Sequence, residues 1–211
     1  RKTIQKQSST RKIKFKRDDL QIHQFTDEEE MLNSYMDFVN EKNITILSTW
    51  NGDNFDLPYL VNRMKYLGMD YKELSPIGIV DEEDKYSDNQ VIKLACRSHL
   101  DYLQLYKKFS LNDRESFKLD FIGELELKMK KIDYDGNLDE LYRNDIDKFC
   151  EYNLRDVEIL VGLENKLEYV NLAITLCHEA HIPYEWVYSQ SKLIEGAILT
   201  YLKNNKFFTH C

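Results

Sequence analysis

Glycine and proline are scarce in this chain, which has seven glycines and three prolines among 211 residues. Few segments can therefore serve as flexible linkers, and we expect one domain with at most a small appendage. The chain also lacks a run of about eighteen apolar residues, which excludes a helix that crosses a membrane, and its first residues do not resemble a signal peptide. We expect a cytoplasmic protein with no membrane partner.

Paired cysteines are missing as well. The four cysteines are widely spaced and form no Cys-x-x-Cys pair, which argues against a structural zinc site and a compact disulfide framework. They are Cys96, Cys150, Cys177 and Cys211. The stretch Cys177-His178-x-x-His181 has residue types that bind metals, but it lies in an amphipathic helical pattern and lacks a second pair of ligands. We interpret this stretch as structural, with reduced thiols.

The sequence also lacks an excess of positive charge. The formal net charge is −8, so the chain does not hold DNA by bulk electrostatics. Residues 1–17 are an exception, because they carry eight basic side chains and no acidic one. This basic arm is either a solvated surface strand or a local contact to nucleic acid. The acidic body can still approach phosphates where divalent cations bridge them to its carboxylates.

Hydrophobic periodicity predicts strands and a helix at the beginning of the chain. Alternating patterns at 11–17 and 20–25 predict a hairpin or two edge strands. Thr26 and Glu29 form a capping box that opens a helix to about Lys42. The apolar positions that this helix should bury are Met31, Leu32, Tyr35, Met36 and Val39.

The pattern then alternates between strands and helices, which favours an α/β layer with a helical flank. An apolar run at 44–49 predicts a central strand, and Asp56 opens a second helix that Gly68 stops after about Leu67. Strand-like pieces at 76–80 and 90–96 predict a hairpin around an acidic turn. The helices expected downstream are 101–109, 118–128, 137–142, 144–168, 170–180 and 190–204.

The polar run Asn51-Gly-Asp-Asn-Phe-Asp56 follows directly on the apolar segment 44–50. Tyr152 and Asp156 stand at i and i+4 of a predicted helix and therefore share one face. Hydrolysis of a phosphodiester is accelerated by two divalent cations about 4 Å apart, and such hard cations take oxygen ligands. Carboxylates at these positions, with a phenol that can hold a water molecule, point to a nuclease.

Each of these residues also has a plainer interpretation. Asp56 can be a first-turn carboxylate that the helix macrodipole favours. Tyr152 and Asp156 can lie on a solvated face beside Arg155. Phe55, like Trp50, belongs to a residue type that is more often found in a core than in a base-stacking platform.

Longer stretches of the sequence resemble family B DNA polymerases. Residues 49–63, Thr-Trp-Asn-Gly-Asp-Asn-Phe-Asp-Leu-Pro-Tyr-Leu-Val-Asn-Arg, look like the second exonuclease motif of that family, and Tyr152-Asn-Leu-Arg-Asp156 looks like the third. Residues 100–109 and 131–136 resemble the T-even bacteriophage branch in particular. The resemblance covers nearly the whole chain.

The resemblance implies the 3′→5′ proofreading exonuclease region of a DNA-directed DNA polymerase. The implied fold is α/β and RNase H-like, a mixed sheet flanked by helices, with a β-hairpin insertion and a helical C-terminal flank. By motif, Asp56 and Asp156 are metal-site carboxylates, Tyr152 orients the nucleophilic water, and Asn51 and Phe55 contact or shape the bound primer end. In this branch the corresponding hairpin helps keep primer and template strands apart.

The resemblance also implies cofactors and partners. The cofactors are two Mg²⁺ or Mn²⁺ ions in the complete site. The partners are a single-stranded primer 3′ end, primer–template DNA and the remainder of the polymerase, in the cytoplasm of a host cell.

The first exonuclease motif of the family, an Asp-x-Glu on a central strand, is not found in these residues. Asp27-x-Glu29 lies in the predicted capping box, and Asp81-x-Glu83 lies in a predicted turn. We therefore expect this chain alone to bind divalent metal poorly and to degrade DNA slowly or not at all. A catalytically inactive, nuclease-like module that binds single-stranded DNA is the alternative.

Both ends of the sequence look cut, since it begins with Arg1 and stops at Cys211 without a polar tail. We expect an exonuclease domain at 1–180, incomplete at its N-terminal strands, and a helical segment at 181–211 that leads toward a polymerase domain. A helical interaction module with chance motif matches is a further alternative. It predicts Asp56 and Asp156 more than about 12 Å apart, too far for ligands of neighbouring ions.

Overall fold

The computed structural model describes residues 13, 14, 17, 20–84, 90–111, 113–130, 132 and 136–205. Within these ranges the chain forms eight α-helices, four short strands and two 3₁₀ helices, so it is a mixed α/β protein as predicted. None of the helices described is long and apolar enough to cross a membrane. Most of the predicted strand at 11–17 lies outside the described residues. Residues 20–25 have no regular secondary structure, so the strand predicted there is wrong.

Helix α1 spans Glu28–Glu41. The predicted N-cap, Thr26, would place the start of the helix one residue earlier. The N-cap is Asp27, whose Oδ1 accepts the amides of Glu29 at 2.9 Å and Glu30 at 3.2 Å. The prediction of Thr26 as the cap is therefore wrong. Both residue types cap helices, and a carboxylate is favoured further by the macrodipole. The buried residues of this helix are Leu32, Met36 and Val39, whereas Met31 and Tyr35 are exposed.

The central strand is shorter than the apolar run suggests, and the second helix follows the prediction closely. Strand β1 is Ile46–Leu47, and helix α2 is Asp56–Leu67. Gly68 ends the helix with φ 76°, a left-handed conformation that glycine adopts without a steric penalty. The apolar face of α2 packs against α1 and contributes Leu57, Val61 and Met64 to the core.

A β-hairpin follows a short 3₁₀ helix at Tyr71–Leu74. Strands β2, Val80–Asp84, and β3, Gln90–Leu94, pair antiparallel, with Val80 opposite Leu94 and Asp84 opposite Gln90. The hairpin itself is confirmed, but the prediction of its first strand at 76–80 and of Asp81–Asp84 as its acidic turn is wrong, because these acidic residues belong to strand β2 and pair with β3. Strand β3 packs against α2.

A second short strand lies beside β1 and could not be predicted from its own pattern. Strand β4, Ser98–His99, pairs parallel with β1. Backbone bonds of 2.8 Å continue the pairing in both directions, from Ser98 N to Thr45 O, from Leu100 N to Leu47 O and from Tyr102 N to Thr49 O. Because the carboxyl ends of parallel strands meet at one edge, the segments that follow residues 49 and 99 are neighbours.

The rest of the described chain is helical, as predicted. The helices are α3 Tyr102–Phe109, α4 Leu119–Leu127, α5 Leu138–Asn144, α6 Ile146–Leu167, α7 Tyr169–Ala180, a 3₁₀ helix Tyr184–Tyr188 and α8 Gln190–Asn204. Helix α6 packs on α4 and α5, and α7 packs on α3 and α8. Gly123 lets α4 approach α6 closely, because a Cβ at this position would lie 2.8 Å from Ile159.

The residues that the structure describes form a core of two apolar clusters. The first joins α3, α4, α6 and α7 through Leu100, Tyr102, Leu105, Tyr106, Ile122, Ile159, Leu163, Ala173, Cys177 and Val187. The second joins α1, α2 and the hairpin through Leu32, Met36, Leu57, Val61, Met64, Leu74, Ile92 and Leu94. The paired strands β1 and β4 lie between them, since Ile46 packs on the first cluster and Leu47 on the second.

The cysteines in the described part of the chain are free thiols: Cys96, Cys150 and Cys177. Burial raises the pKa of Cys177 to about 11, so its thiol stays protonated at neutral pH. The neighbouring His178 contacts the Tyr184 hydroxyl through Nε2 at 2.7 Å. The interpretation of this stretch as structural agrees with these contacts.

A partly buried ion network at Glu126 joins α3, α4 and α6. One carboxylate oxygen accepts the Tyr106 hydroxyl at 2.7 Å and Arg114 Nη2 at 3.0 Å, and the other lies 3.0 Å from Lys166 Nζ. Desolvation acts to raise the pKa of Glu126, but the bonds from Tyr106 and Lys166 and the two cations outweigh it and lower the pKa. The ionised carboxylate is thus favoured by folding.

Replacement of Glu126 with glutamine should lower the free energy of unfolding by about 1–2 kcal/mol at neutral pH. Because the folded pKa is lowered, the stabilisation is present above the unfolded value near 4.5 and is lost as pH falls through the folded value. Urea unfolding at pH 7 and at pH 3 checks this. The control is Glu124→Gln on the same helix, whose exposed pair with Lys130 should contribute little. An equal loss at both pH values would contradict the network's role.

Candidate functional site

The segment Asn51–Asp56 forms a compact turn that leads directly from the strand into α2. Asn51 has φ 68°, a left-handed conformation, and its side-chain oxygen accepts a hydrogen bond from the side-chain Nδ2 of Asn54 at 2.9 Å. The backbone amides of Phe55 and Leu57 both donate to Gly52 O, at 3.3 Å and 3.0 Å. The turn therefore winds without a gap into the first turn of the helix.

The end of this turn presents a carboxylate and two aromatic rings to solvent. Asp56 is the first residue of α2 and is exposed. Phe55 is 65% exposed, and its ring stacks on that of Tyr59, which is 59% exposed, with centroids 6.1 Å apart and an interplanar angle of 11°. The plainer interpretation of Phe55 as a core residue is therefore wrong. An exposed ring pair offers a stacking surface for a nucleobase, and a carboxylate beside it approaches a phosphate only through a bound divalent cation.

Trp50, in contrast, packs inward, as its residue type predicts. Its indole Nε1 donates to Phe117 O at 3.1 Å, and its ring lies 6.3 Å from that of Tyr102. The residue that precedes the polar run is thus anchored in the first core cluster, and the run itself ends at exposed side chains.

Asp101, which sequence reasoning had not singled out, stabilises the turn through hydrogen bonds to its backbone. It is fully buried and caps α3 by accepting the Leu103 amide at 2.9 Å. The same carboxylate accepts the amides of Asn51 at 3.0 Å and Asp53 at 3.3 Å. Burial raises the pKa of Asp101, and the bonds from Asn51 and Asp53 act in the opposite direction.

His99 forms a second link between the strand end and the turn. Its Nδ1 lies 2.7 Å from Asp53 Oδ1, and its Nε2 lies 3.0 Å from Thr49 Oγ1. Carboxylate, imidazole and hydroxyl stand in the order of a nucleophile triad. However, Gly52 lies directly against the hydroxyl, because a Cβ there would be 1.7 Å from Thr49 Oγ1. We therefore interpret the side chains of Thr49, His99 and Asp53 as a structural bracket, that is, a set of contacts that fixes the turn.

Tyr152 and Asp156 lie one turn apart on α6, an uninterrupted helix of 22 residues, as predicted. Both are partly buried. The neighbouring Arg155 pairs with Glu158 at 3.4 Å, and Arg17 pairs with the same carboxylate. The cation that the plainer interpretation invoked is thus engaged by another acid on this helix.

Residues of the basic arm that the structure describes lie along α6. The Lys14 amide donates to Asp147 Oδ1 at 2.7 Å, and Arg17 pairs with Glu158 three turns further along the helix. This part of the arm is therefore engaged by acidic side chains of its own chain.

The structure brings the candidate residues together in two groups. Asn51, Phe55 and Asp56 share the turn before α2, and Tyr152 and Asp156 share a face of α6. Helix α2 belongs to the second core cluster, and α6 belongs to the first. Among the described residues, no three His, Cys, Asp or Glu side chains are gathered as a metal site would require. Convergence of Asp56 and Asp156 on one metal centre stays a prediction.

The side chains that sequence reasoning missed are Asp53, Tyr59, His99 and Asp101. Asp101 has a sequence signal, since an aspartate that precedes an amphipathic run is a typical N-cap. Tyr59 stands four residues after Phe55 and so shares its helix face. The bracket between His99 and Asp53 joins residues 46 positions apart and has no local signal.

Comparison with known proteins places these features in a family. The family model described as DNA polymerase family B, exonuclease domain, matches residues 1–122. The chain is 34% identical over 186 residues to the DNA-directed DNA polymerase of Escherichia phage RB69, covering 85% of this chain and 20% of that protein. It is 31% identical over 184 residues to the DNA-directed DNA polymerase of Enterobacteria phage T4, with the same coverage.

An archaeal relative aligns over a similar length. The chain is 26% identical over 201 residues to DNA polymerase 1 of Sulfurisphaera ohwakuensis, covering 91% of this chain and 21% of that protein. The chain thus spans about a fifth of the length of these curated relatives.

Proposed function

The chain belongs to the exonuclease-domain family of the family B DNA polymerases, and on that premise we propose that it forms part of a 3′→5′ proofreading exonuclease. The proposed reaction is hydrolysis of the primer-terminal phosphodiester in a polymerase with an RNase H-like exonuclease fold. The observation that carries this proposal is the exposed Asp56 beside the stacked Phe55 and Tyr59, on a turn held by buried hydrogen bonds. Phe55 and Asp56, two of the three motif residues at this turn, are exposed.

Each residue has a proposed role. Asp56 and Asp156 are carboxylate ligands of a metal centre, and Tyr152 orients the attacking water from one turn before Asp156. Phe55 stacks on a base at the primer end, and Asn51 shapes the turn that presents it. Primer–template DNA and the remainder of the polymerase are the proposed partners, and the β2–β3 hairpin is proposed to help keep the two strands apart.

Mg²⁺ or Mn²⁺ suits the donor chemistry of these residues in part. Bound divalent cations acidify a water molecule and neutralise charge on the leaving oxygen, and carboxylate oxygens are the ligands they prefer. Asp56 and Asp156 supply two such ligands, which is fewer than a complete site needs. Asp27-x-Glu29 does not complete the set, because the Asp27 carboxylate caps α1. We propose that an Asp-x-Glu strand of the polymerase does.

Trimming of a 5′-labelled single-stranded oligonucleotide with Mg²⁺ tests this proposal. We expect slow or no trimming by the chain alone, and metal-dependent trimming after addition of a segment that bears Asp-x-Glu on an apolar strand. In this extended form, Asp56→Asn or Asp156→Asn should lower the rate at least about a hundredfold. Tyr152→Phe should lower it about tenfold or more, since only the hydroxyl is lost.

Two matched variants control for nonspecific effects in this assay. Asp139→Asn changes another exposed carboxylate in the first turn of a helix, and Tyr142→Phe removes a phenol hydroxyl from an exposed side chain of the neighbouring helix α5; both should trim as the unmodified form does. Robust trimming by the chain alone that is lost in Asp156→Ala would show that the first motif is present and was misread. Trimming that survives both Asp56→Asn and Asp156→Asn would refute the assigned ligands.

A module that binds single-stranded DNA without cleaving it is the second candidate. The exposed ring pair of Phe55 and Tyr59 favours it as much as it favours the exonuclease, because stacking does not require metal. Binding of the oligonucleotide by the extended form without metal-dependent turnover would support this candidate over the first.

A further inference from the structure

The carboxylate of Asp101 does more than cap the helix that it precedes. Its Oδ1 accepts the amides of Leu103 and Asn51, at 2.9 Å and 3.0 Å, and its Oδ2 accepts the amide of Asp53 at 3.3 Å. The amides of Asn51 and Asp53 belong to a segment about fifty residues earlier in the chain. Asp101 is therefore a junction between the start of α3 and the turn before α2.

The other aspartates that cap helices in the described part of the chain do not make such a junction. Asp27 accepts amides of Glu29 and Glu30, Asp70 accepts that of Lys72, and Asp145 accepts that of Lys148. Each of these amides belongs to the helix that the aspartate caps. Asp101 also differs in burial, because it has no exposed surface at all.

The turn needs such a support because its backbone is not in a favourable conformation by itself. Asn51 has a φ of 68°, a region that asparagine tolerates at some cost and that is kept only when the surroundings impose it. The residues that follow Asn51 carry the exposed Phe55 and Asp56, so a change in the turn redirects both side chains.

We propose that Asp101 is a positioning residue for the segment Asn51–Asp56, which it fixes through the amides of Asn51 and Asp53 so that Phe55 and Asp56 face the substrate. The substrate part of this role rests on the proposed function. The bracket of His99 with Asp53 acts on the same turn. The Tyr188 hydroxyl, which donates to Asp101 O at 3.4 Å, covers the junction from the second 3₁₀ helix.

Hydrogen exchange of single amides in the 211-residue chain tests the positioning. In Asp101→Ala the amides of Asn51, Asp53 and Leu103 all lose their acceptor, and their exchange should accelerate at least tenfold. In Asp101→Asn the remaining side-chain oxygen can keep two of its bonds, so Asn51 and Leu103 should stay protected while Asp53 exchanges at least tenfold faster. The core amide of Leu163 should change less than threefold in both variants.

Asp27→Ala is the matched control, since it removes an N-cap that serves only its own helix. It should leave the exchange of Asn51 and Asp53 unchanged. If Asp101→Ala leaves Asn51 and Asp53 protected, or accelerates them no more than Leu163, the positioning role is overturned. The residue-specific pattern in Asp101→Asn also separates positioning from general destabilisation, which would affect all three amides equally.

Binding of fluorescein-labelled oligothymidylate to the same chain connects the turn to the substrate. We expect the Kd to rise about tenfold in Asp101→Ala and less in Asp101→Asn, with no change in Asp27→Ala. Equal affinities of the unmodified chain and Asp101→Ala would overturn the role toward substrate while leaving the proposed function intact. Failure of the unmodified chain to bind would count against the proposed function, whereas the amide exchange still decides whether Asp101 holds the turn.

Discussion

Replacement of Arg97 with methionine is expected to lower the free energy of unfolding by about 3–5 kcal/mol, the largest loss of stability that we predict. Arg97 is only 2% exposed. Its guanidinium donates to Ile44 O at 2.8 Å, to Asn40 Oδ1 at 2.9 Å, to Val39 O at 3.4 Å and to Leu74 O. Methionine fills similar space but leaves these acceptors buried without their donor.

The position of Arg97 explains why so many bonds meet there. It directly precedes β4, and its acceptors belong to the end of α1, the residues before β1 and the end of the first 3₁₀ helix. Burial lowers the pKa of Arg97, yet a guanidinium stays charged at neutral pH because its ordinary pKa lies far above neutral. The charge is therefore distributed over carbonyl dipoles of three segments, and its removal should loosen all of them together.

Urea unfolding followed by fluorescence of the two tryptophans measures this effect. Arg97→Lys should recover only part of the loss, because an ammonium group has fewer donors and cannot reach as many carbonyl groups. Arg143→Met on α5 is the control, since Arg143 is exposed and its replacement should cost less than about 0.5 kcal/mol. A loss below about 1 kcal/mol in Arg97→Met would show that water can replace the guanidinium.

Replacement of Gly52 with alanine is expected to cost about 2–3 kcal/mol and to displace the turn that carries Asp56. The new Cβ would lie 1.7 Å from Thr49 Oγ1 and 3.0 Å from His99 Nε2. The Thr49 hydroxyl can leave only by giving up its contact with His99, which in turn holds Asp53. The clash therefore disturbs the contacts of His99 with Thr49 and Asp53, which fix the turn, rather than a side chain that can move without loss.

A double-mutant cycle with Thr49→Ala checks the cause of this effect. If the clash with the hydroxyl dominates, Gly52→Ala should cost at least about 1 kcal/mol less in the Thr49→Ala background than in the unmodified chain. Additive losses would show that the strain arises elsewhere in the turn. Oligonucleotide binding by Gly52→Ala should weaken as well, because the direction of Phe55 and Asp56 depends on this turn.

Local patterns predicted most of the helices correctly, because the signals of a helix lie within the helix. Asp56 at the start and the stop at Gly68 predicted α2 with an end at about Leu67, and the helix spans Asp56–Leu67. The cap of α1 was placed one residue too early, since Thr26 and Asp27 are adjacent and both are good caps. Burial was less predictable than periodicity, as the exposed Phe55 shows.

The candidate site likewise has residues that the sequence predicts and supporting contacts that it does not. Asn51, Phe55, Asp56, Tyr152 and Asp156 are recognisable from the sequence, because each motif is a short contiguous stretch. The contacts that support this site are not recognisable, since Asp101, although it is recognisable as an N-cap, and His99 act on residues 46 to 50 positions away.

Sequence alone established the helices, the hairpin and the membership of a polymerase exonuclease family, because these depend on periodicity, capping and contiguous motifs. Tertiary structure decided the parallel pairing of β1 with β4, the burial of Arg97 and the junction at Asp101. The physical reason is that a buried charge is tolerated only where partners from distant segments surround it. The tertiary fold determines which residues become such partners, and no periodic pattern along the sequence indicates them.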